Sequence, residues 1–192
     1  FIWIYEYLAD ILQQEAERIT KKEPKKGNWI INLPFRSGKS TLISQLFPVW
    51  CWIHNPSLKI MCVSSNQNLA NRHAEMSLNF IKGLWFKNLF GDLFHLTNDA
   101  ISDYSNNKGG CRLSFGMNSK DILGSGSSII LLDDPQSTDD LTPLGIKLTV
   151  NKFTDKIYSR LNDSKVDIHI LVQQRLHQQD LSGYLLENNA DN

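Results

Sequence analysis

WIINLPFRSGKST, residues 29–41, runs from a short apolar segment through a polar loop into a helix start. Trp29, Ile30, Ile31 and Leu33 read as a buried strand, and Leu42, Ile43 and Leu46 as the first apolar positions of a helix. A triphosphate needs backbone N–H groups converging on its oxygens, a flexible cation for the β and γ phosphates, and a hydroxyl for Mg²⁺. Gly38, Lys39 and Ser40 supply those three, and Pro34, Phe35, Arg36, Ser37 and Thr41 fill out the expected nucleotide-binding loop. The loop departs from G-x-x-x-x-G-K-[ST], because Leu33 stands where the first glycine would be. The strand-loop-helix context is what lifts S-G-K-S above a polar turn.

Composition narrows the classes around this loop. A chain of 192 residues with 41% hydrophobic content can bury one substantial core, so residues 1–192 are expected to form a single domain. Lys plus Arg number 20 and Asp plus Glu number 20, so no overall positive field draws the chain onto nucleic acid. Any DNA contact would come from a local patch or from an assembly. Cys51, Cys62 and Cys111 are widely spaced among apolar neighbours, which fits small core residues and neither a zinc site nor a disulfide framework. No apolar run reaches the length of a membrane span, so no membrane partner is expected. The chain starts at Phe1, and we read it as a piece of a longer protein.

Strand and helix signals alternate along the rest. Ile4, Tyr7, Leu8, Ile11 and Leu12 predict a leading amphipathic helix over 1–20, followed by a lysine-rich turn at 21–28. After the loop, Pro48 should kink or re-register the helix LISQLFPVWCWI. Leu58–Val63 reads as a second buried strand. A helix with Leu69, His73, Met76, Phe80 and Leu84 on its apolar stripe follows, N-capped by Ser65 or Asn66. Residues 85–110 read as a hairpin or irregular excursion, and 111–115 as a strand. Ser128–Leu132 reads as a central strand ending in Asp133-Asp134-Pro135, and 136–150 as a polar linker. Val150–Leu161 has helical spacing, Val166–Val172 reads as a further strand, and a last helix begins near Asp180. This is a parallel α/β sheet flanked by helices, with ligands gathering at the carboxyl ends of the strands.

Hydrolysis needs more than a phosphate loop: a carboxylate to hold the metal and a base to orient water. Asp133, at the tip of an apolar strand, suits the first role together with Ser40, and Asp134 suits the second. No Glu occurs between Arg112 and Leu186, so the base in that region must be an Asp, with Asp139 and Asp140 as fallbacks. Charge on the γ phosphate also calls for arginine. Arg36 is placed to act within the subunit, while Arg112, Arg160 and Arg175 are candidates to reach a neighbour, or else structural residues. Gln173 and Gln174 end a strand where a side chain could sense the γ phosphate. His177 and Asp180 read as helix-capping or hinge residues, not metal ligands.

Taken together, PFRSGKST (34–41), FPVW (47–50), GGCRLSF (109–115), GSGSSIILLDDP (124–135) and QQRLHQQDLSGYLL (173–186) resemble the large subunit of a tailed-phage or prophage terminase. The resemblance covers nearly the whole chain, and Arg-x-His followed by Asp-Leu-x-Gly is its most discriminating part. It implies a P-loop ATPase fold of the ASCE type and a DNA-packaging motor working in the host cell cytoplasm. The implied ligands are ATP and Mg²⁺, and the implied partners are double-stranded DNA, the portal protein, the small terminase subunit and further copies in a ring. By that resemblance Lys39 and Ser40 serve phosphate and Mg²⁺, Asp133 the metal, and Asp134 catalysis, while Gln173 and Gln174 couple hydrolysis to movement. Asp134 stands where many motors have Glu. The family's nuclease domain would lie beyond Asn192, so these residues are not expected to cut DNA. Other readings of the same loop are a helicase-like translocase, a nucleotide kinase and a module that binds ATP without turnover. DNA-stimulated phosphate release and phosphoryl transfer to nucleoside monophosphates separate these.

Overall fold

The computed structural model describes residues 2–188, in which seven strands make one sheet in the order β1-β7-β6-β2-β5-β4-β3. The strands are β1 (Trp29–Asn32), β2 (Lys59–Ser64), β3 (Leu96–Ala100), β4 (Asp103–Asn106), β5 (Cys111–Gly116), β6 (Ile129–Asp133) and β7 (Ile168–Gln173). All pairings from β1 across to β5 are parallel, and β4 and β3 extend the β5 edge antiparallel. The mixed α/β class and the mostly parallel sheet are as expected. Strand β7 lies between the strand that feeds the phosphate loop and the strand that ends in Asp133, so the last strand in sequence is wedged into the middle of the site.

Both faces of the parallel part are covered, which is why its strands read as unbroken apolar runs. Ile129 and Leu131 of β6, with Ile168, Ile170 and Val172 of β7, pack on one side against α1 (Ile2–Thr20), α2 (Phe47–His54) and α3 (Gln67–Lys82). Ile130 and Leu132, with Met61, Val63 and Leu171, face the other side, where Phe153, Ile157 and Leu181 cover them. That second layer comes from α5 (Pro143–Lys152), the turns that follow it and α6 (Leu181–Asn188). Cys51 and Cys62 are buried, Cys111 is half-buried, and all three thiols are free.

Three expectations change. Residues 136–150 are not all linker: Thr142 caps α5 by accepting from the Gly145 N–H, and Pro143 fits the first helical turn, where no N–H is required. Residues 85–110 do hold the expected hairpin, β3–β4, which belongs to the main sheet, but an unexpected short helix, α4 (Leu84–Phe90), precedes it. The apolar stripe of α3 is rotated, since Ala70, His73, Ala74, Ser77, Leu78 and Ile81 are buried while Met76 and Phe80 are exposed. Among the described residues no helix is long and apolar enough to cross a membrane.

Candidate functional site

The carboxyl ends of β1, β6 and β7 meet at the loop 33–40. Positive φ angles mark it: Gly38 at +74°, where glycine is at ease, and Arg36 at +59° and Asp134 at +44°, where L side chains are strained. A Cβ on Gly38 would also stand 3.0 Å from the Tyr5 hydroxyl, so the leading helix α1 closes one side of the loop. Arg36 is exposed, with its guanidinium 5.6 Å from the centre of the Phe35 ring.

Two contacts join the loop to the strand tips. Ser40 Oγ donates to Asp133 Oδ1 at 3.1 Å, and Lys39 Nζ lies 2.9 Å from Asp134 Oδ2. The Asp134 carboxylate also accepts from the Gln174 backbone N–H at 3.1 Å, and its own N–H donates to the Val172 carbonyl at 2.9 Å. Asp134 is therefore strapped to the end of β7, which explains its strained backbone. Asp133 is 3% exposed, and burial raises its pKa above the ordinary carboxylate value, although the Ser40 hydroxyl and His73 favour the charged form.

His73, on α3, joins the site from a stripe that the sequence pattern marks only as core-facing. Its Nε2 is 3.5 Å from Asp133 Oδ2, and its Nδ1 accepts from Gln45 Nε2 at 3.0 Å, so the neutral ring carries its proton on the side of Asp133. Burial lowers the His73 pKa, with Asp133 pulling the other way. The one signal in the sequence was a histidine on a stripe otherwise expected to face the core.

The remaining candidates separate. Arg112 is a correction: it is 1% exposed and donates to the Ser44 and His73 carbonyls, Ser77 Oγ and Tyr104 Oη, so it cannot reach a neighbouring subunit. Arg160 donates to the Leu123 carbonyl at 2.6 Å, and Arg175 is held by Asp180 and the Gln178 carbonyl. Asp180 takes the N–H groups of Leu176 and Gly183 and so caps the start of α6, while His177 Nδ1 accepts from the Gln179 N–H. A Cβ on Gly183 would strike the Gln178 carbonyl at 1.9 Å, which gives the Asp-Leu-x-Gly spacing a physical reason. Asp140 is engaged with Ser137 in a local capping box, and Asp139 is exposed in the same turn.

The sequence matches no protein-family model and no curated protein. The structure is similar to the large terminase of bacteriophage HK97, with a TM-score of 0.57 and 15% identity over 84% of this chain. This chain has a large-terminase fold. It is also similar to the large terminase of the thermophilic bacteriophage D6E, with a TM-score of 0.53 and 12% identity over 92% of this chain. It spans 32% and 42% of the lengths of those two terminases.

Within the large-terminase fold, among the described residues two buried oxygens at or beside the strand tips have no hydrogen-bond partner, Ser37 Oγ and Gln173 Oε1, and Asp133 Oδ2 meets only His73 Nε2 at the long distance of 3.5 Å. Buried polar atoms are ordinarily paired, so unpaired ones beside a lysine and a left-handed glycine fit a phosphate-bearing ligand with its cation. Ser40 Oγ and Asp133 Oδ2 are hard oxygen ligands of the kind Mg²⁺ prefers. Among the described residues no three His, Cys, Asp or Glu side chains converge as metal ligands, so phosphate and water oxygens would complete the shell.

Proposed function

We propose that this chain is the ATPase part of a DNA-packaging motor, binding ATP with Mg²⁺ and hydrolysing it to drive double-stranded DNA into a capsid. One observation carries the reading: Lys39 and Ser40 are each paired with one of two adjacent carboxylates, Asp134 and Asp133, at the tip of strand β6. The Mg²⁺ would draw off charge from the β and γ phosphates. Ser40 and Asp133 would hold that cation, and the backbone of residues 34–41 would cradle the phosphates. Lys39 would leave Asp134 Oδ2 for a phosphate oxygen, and the freed carboxylate would orient and deprotonate a water. The Gln174 N–H keeps Asp134 in place during that exchange. Gln173, at the end of the strand between the loop and the acids, and Gln174, just after it, are suited to carry loss of the γ phosphate toward the DNA-facing surface.

The same reading includes assembly of copies in a ring at a portal protein, with a small terminase subunit as partner, in the cytoplasm of the infected host. Arg36 would serve in the subunit's own site, and Arg160 or Arg175 in a neighbour's after release from their present partners. Residues 1–192 would act as one domain. The experiment is steady-state ATP hydrolysis over a concentration series for the parent chain and for Asp134→Asn. The expected outcome is turnover that climbs more than linearly with protein and falls by about a hundredfold or more in the variant, the usual contribution of a general base. Unchanged turnover in the variant would remove Asp134 as the base. Strict linearity would remove the shared site.

A further inference from the structure

On the sheet face away from α1–α3 lies a cavity of about 630 Å³, floored by Ile30, Leu132 and Leu171 and reaching the lysine-rich turn before β1. Its volume lies within the range of small-molecule sites. His169, on β7, lines it. The period-two alternation of the strand turns this side chain away from the side where Ile168 and Ile170 pack. The residue is 4% exposed, and among the described residues neither ring nitrogen makes a well-formed hydrogen bond, although the Ile157 carbonyl lies near enough to favour the charged ring. Leaving both nitrogens of a buried imidazole unpaired is unfavourable, and a ligand would relieve it. Burial and the charge of Lys25 hold the His169 pKa down to about 4, so near neutrality the ring offers one donor and one acceptor.

Aromatic rings extend the site outward. Tyr158 is stacked parallel to His169, 2° from coplanar with centroids 5.4 Å apart, and Phe153 meets His169 edge-on at 5.7 Å. Tyr158 is 55% exposed, so part of its ring is open. Lys25 and Lys26 stand on the lining, and among the described residues neither is in a salt bridge, although Asp163 and Asp167 lie near enough to Lys25 to attract it. A ring that stacks, a neutral group that both donates and accepts, and two ammonium groups together match a heteroaromatic base bearing a phosphate.

We propose that this cavity is a second nucleotide-recognising site, separate from the phosphate loop, in which a base stacks on Tyr158 and hydrogen-bonds His169 while its phosphate meets Lys25 and Lys26. The base comes either from a free nucleotide or from an unpaired stretch of a DNA strand, since the chemistry is shared. The inference does not rest on ATP hydrolysis, and its test is run on Lys39→Ala protein to weaken binding at the loop.

The test follows the His169 ring resonances by NMR during separate titrations with AMP, adenosine, inorganic phosphate and a short single-stranded oligodeoxyadenylate. Saturable shifts with AMP or with the oligonucleotide are expected, weakened about tenfold by Tyr158→Ala, as loss of one base–aromatic stack predicts. The pair Lys25→Ala and Lys26→Ala should weaken AMP but leave adenosine unchanged. Saturation by AMP alone assigns a free nucleotide, and saturation by the oligonucleotide alone assigns a strand. Static His169 resonances with both probes at millimolar concentration would overturn the proposal, as would shifts reproduced by phosphate alone or indifferent to Tyr158→Ala. Tyr158 is largely exposed, so its variant should fold even where a His169 variant does not.

Discussion

At the scale of single residues, Arg112 shows how a charge can be placed for structure and not for chemistry. Its guanidinium is fully buried and among the described residues has no carboxylate within salt-bridge distance, yet it binds Ser44, His73, Ser77 and Tyr104, which come from three different parts of the chain. Without it the Ser44 carbonyl and the Tyr104 hydroxyl would lose this donor, while Ser77 Oγ keeps the Gln45 carbonyl. Arg112→Met should therefore destabilise the fold by roughly 3–5 kcal/mol, the usual penalty for removing one side of a buried charged network, measured by urea unfolding. Arg112→Lys should rescue little, since one ammonium cannot span the fork of contacts. The residues legible in the sequence were those whose chemistry fixes their spacing: Gly38, Lys39 and Ser40 are contiguous, and Asp133 ends an apolar run. His73 was hidden because its meeting with Asp133 is made by tertiary packing across sixty positions of chain. The same holds for Arg112, whose partners no local pattern announces.

At the scale of elements, the helix after the loop shows what a proline does. Pro48 has no N–H to give to the Ser44 carbonyl one turn back, and the backbone responds with a wide turn at Thr41–Leu46, in which the Phe47 N–H reaches Leu42. Arg112 Nη2 then donates to the Ser44 carbonyl at 2.8 Å, and Ser77 Oγ takes the next one, Gln45, at 2.6 Å. Pro48→Ala would restore the missing donor. In that background Arg112→Met should cost less than it does alone, by about 1 kcal/mol, one ordinary hydrogen bond, in a double-mutant cycle of urea unfolding. Equal costs in both backgrounds would show that the proline and the arginine act independently. That the helix would be re-registered was readable from Pro48; where its freed carbonyls would go was not. Likewise α3 was readable as a helix but not in its rotation, because large residues at 76 and 80 outweigh small ones in any apolar pattern. The inward face is set by the contacts of His73 and Ser77 with Arg112, and Ala70 and Ala74 are buried with them.

At the scale of the whole molecule, the alternation of strands and helices predicts a parallel sheet, but not the insertion of β7 between β1 and β6, since strand order depends on long-range pairing that local pattern does not encode. That insertion has a thermodynamic consequence, because it carries His169 into the interior. The folded protein holds this imidazole at a pKa of about 4 against an ordinary 6.5. Between those values the unfolded chain binds a proton that the folded one refuses, so stability rises with pH across the window. The contribution is complete above 6.5 and lost as pH falls toward 4, amounting to roughly 3 kcal/mol. Asp133 and Asp167 act in the opposite sense, since burial raises both, and each favours the folded state when protonated at low pH. A difference measurement removes them. Urea unfolding at pH 7 and pH 4 should show the parent losing roughly 3 kcal/mol more than His169→Leu, whose apolar side chain has no proton to refuse. Parallel losses in the two proteins would mean that His169 is protonated in the fold with little penalty. The base-recognition proposal, which needs a neutral acceptor nitrogen at that position, would then lose its chemical basis near pH 5.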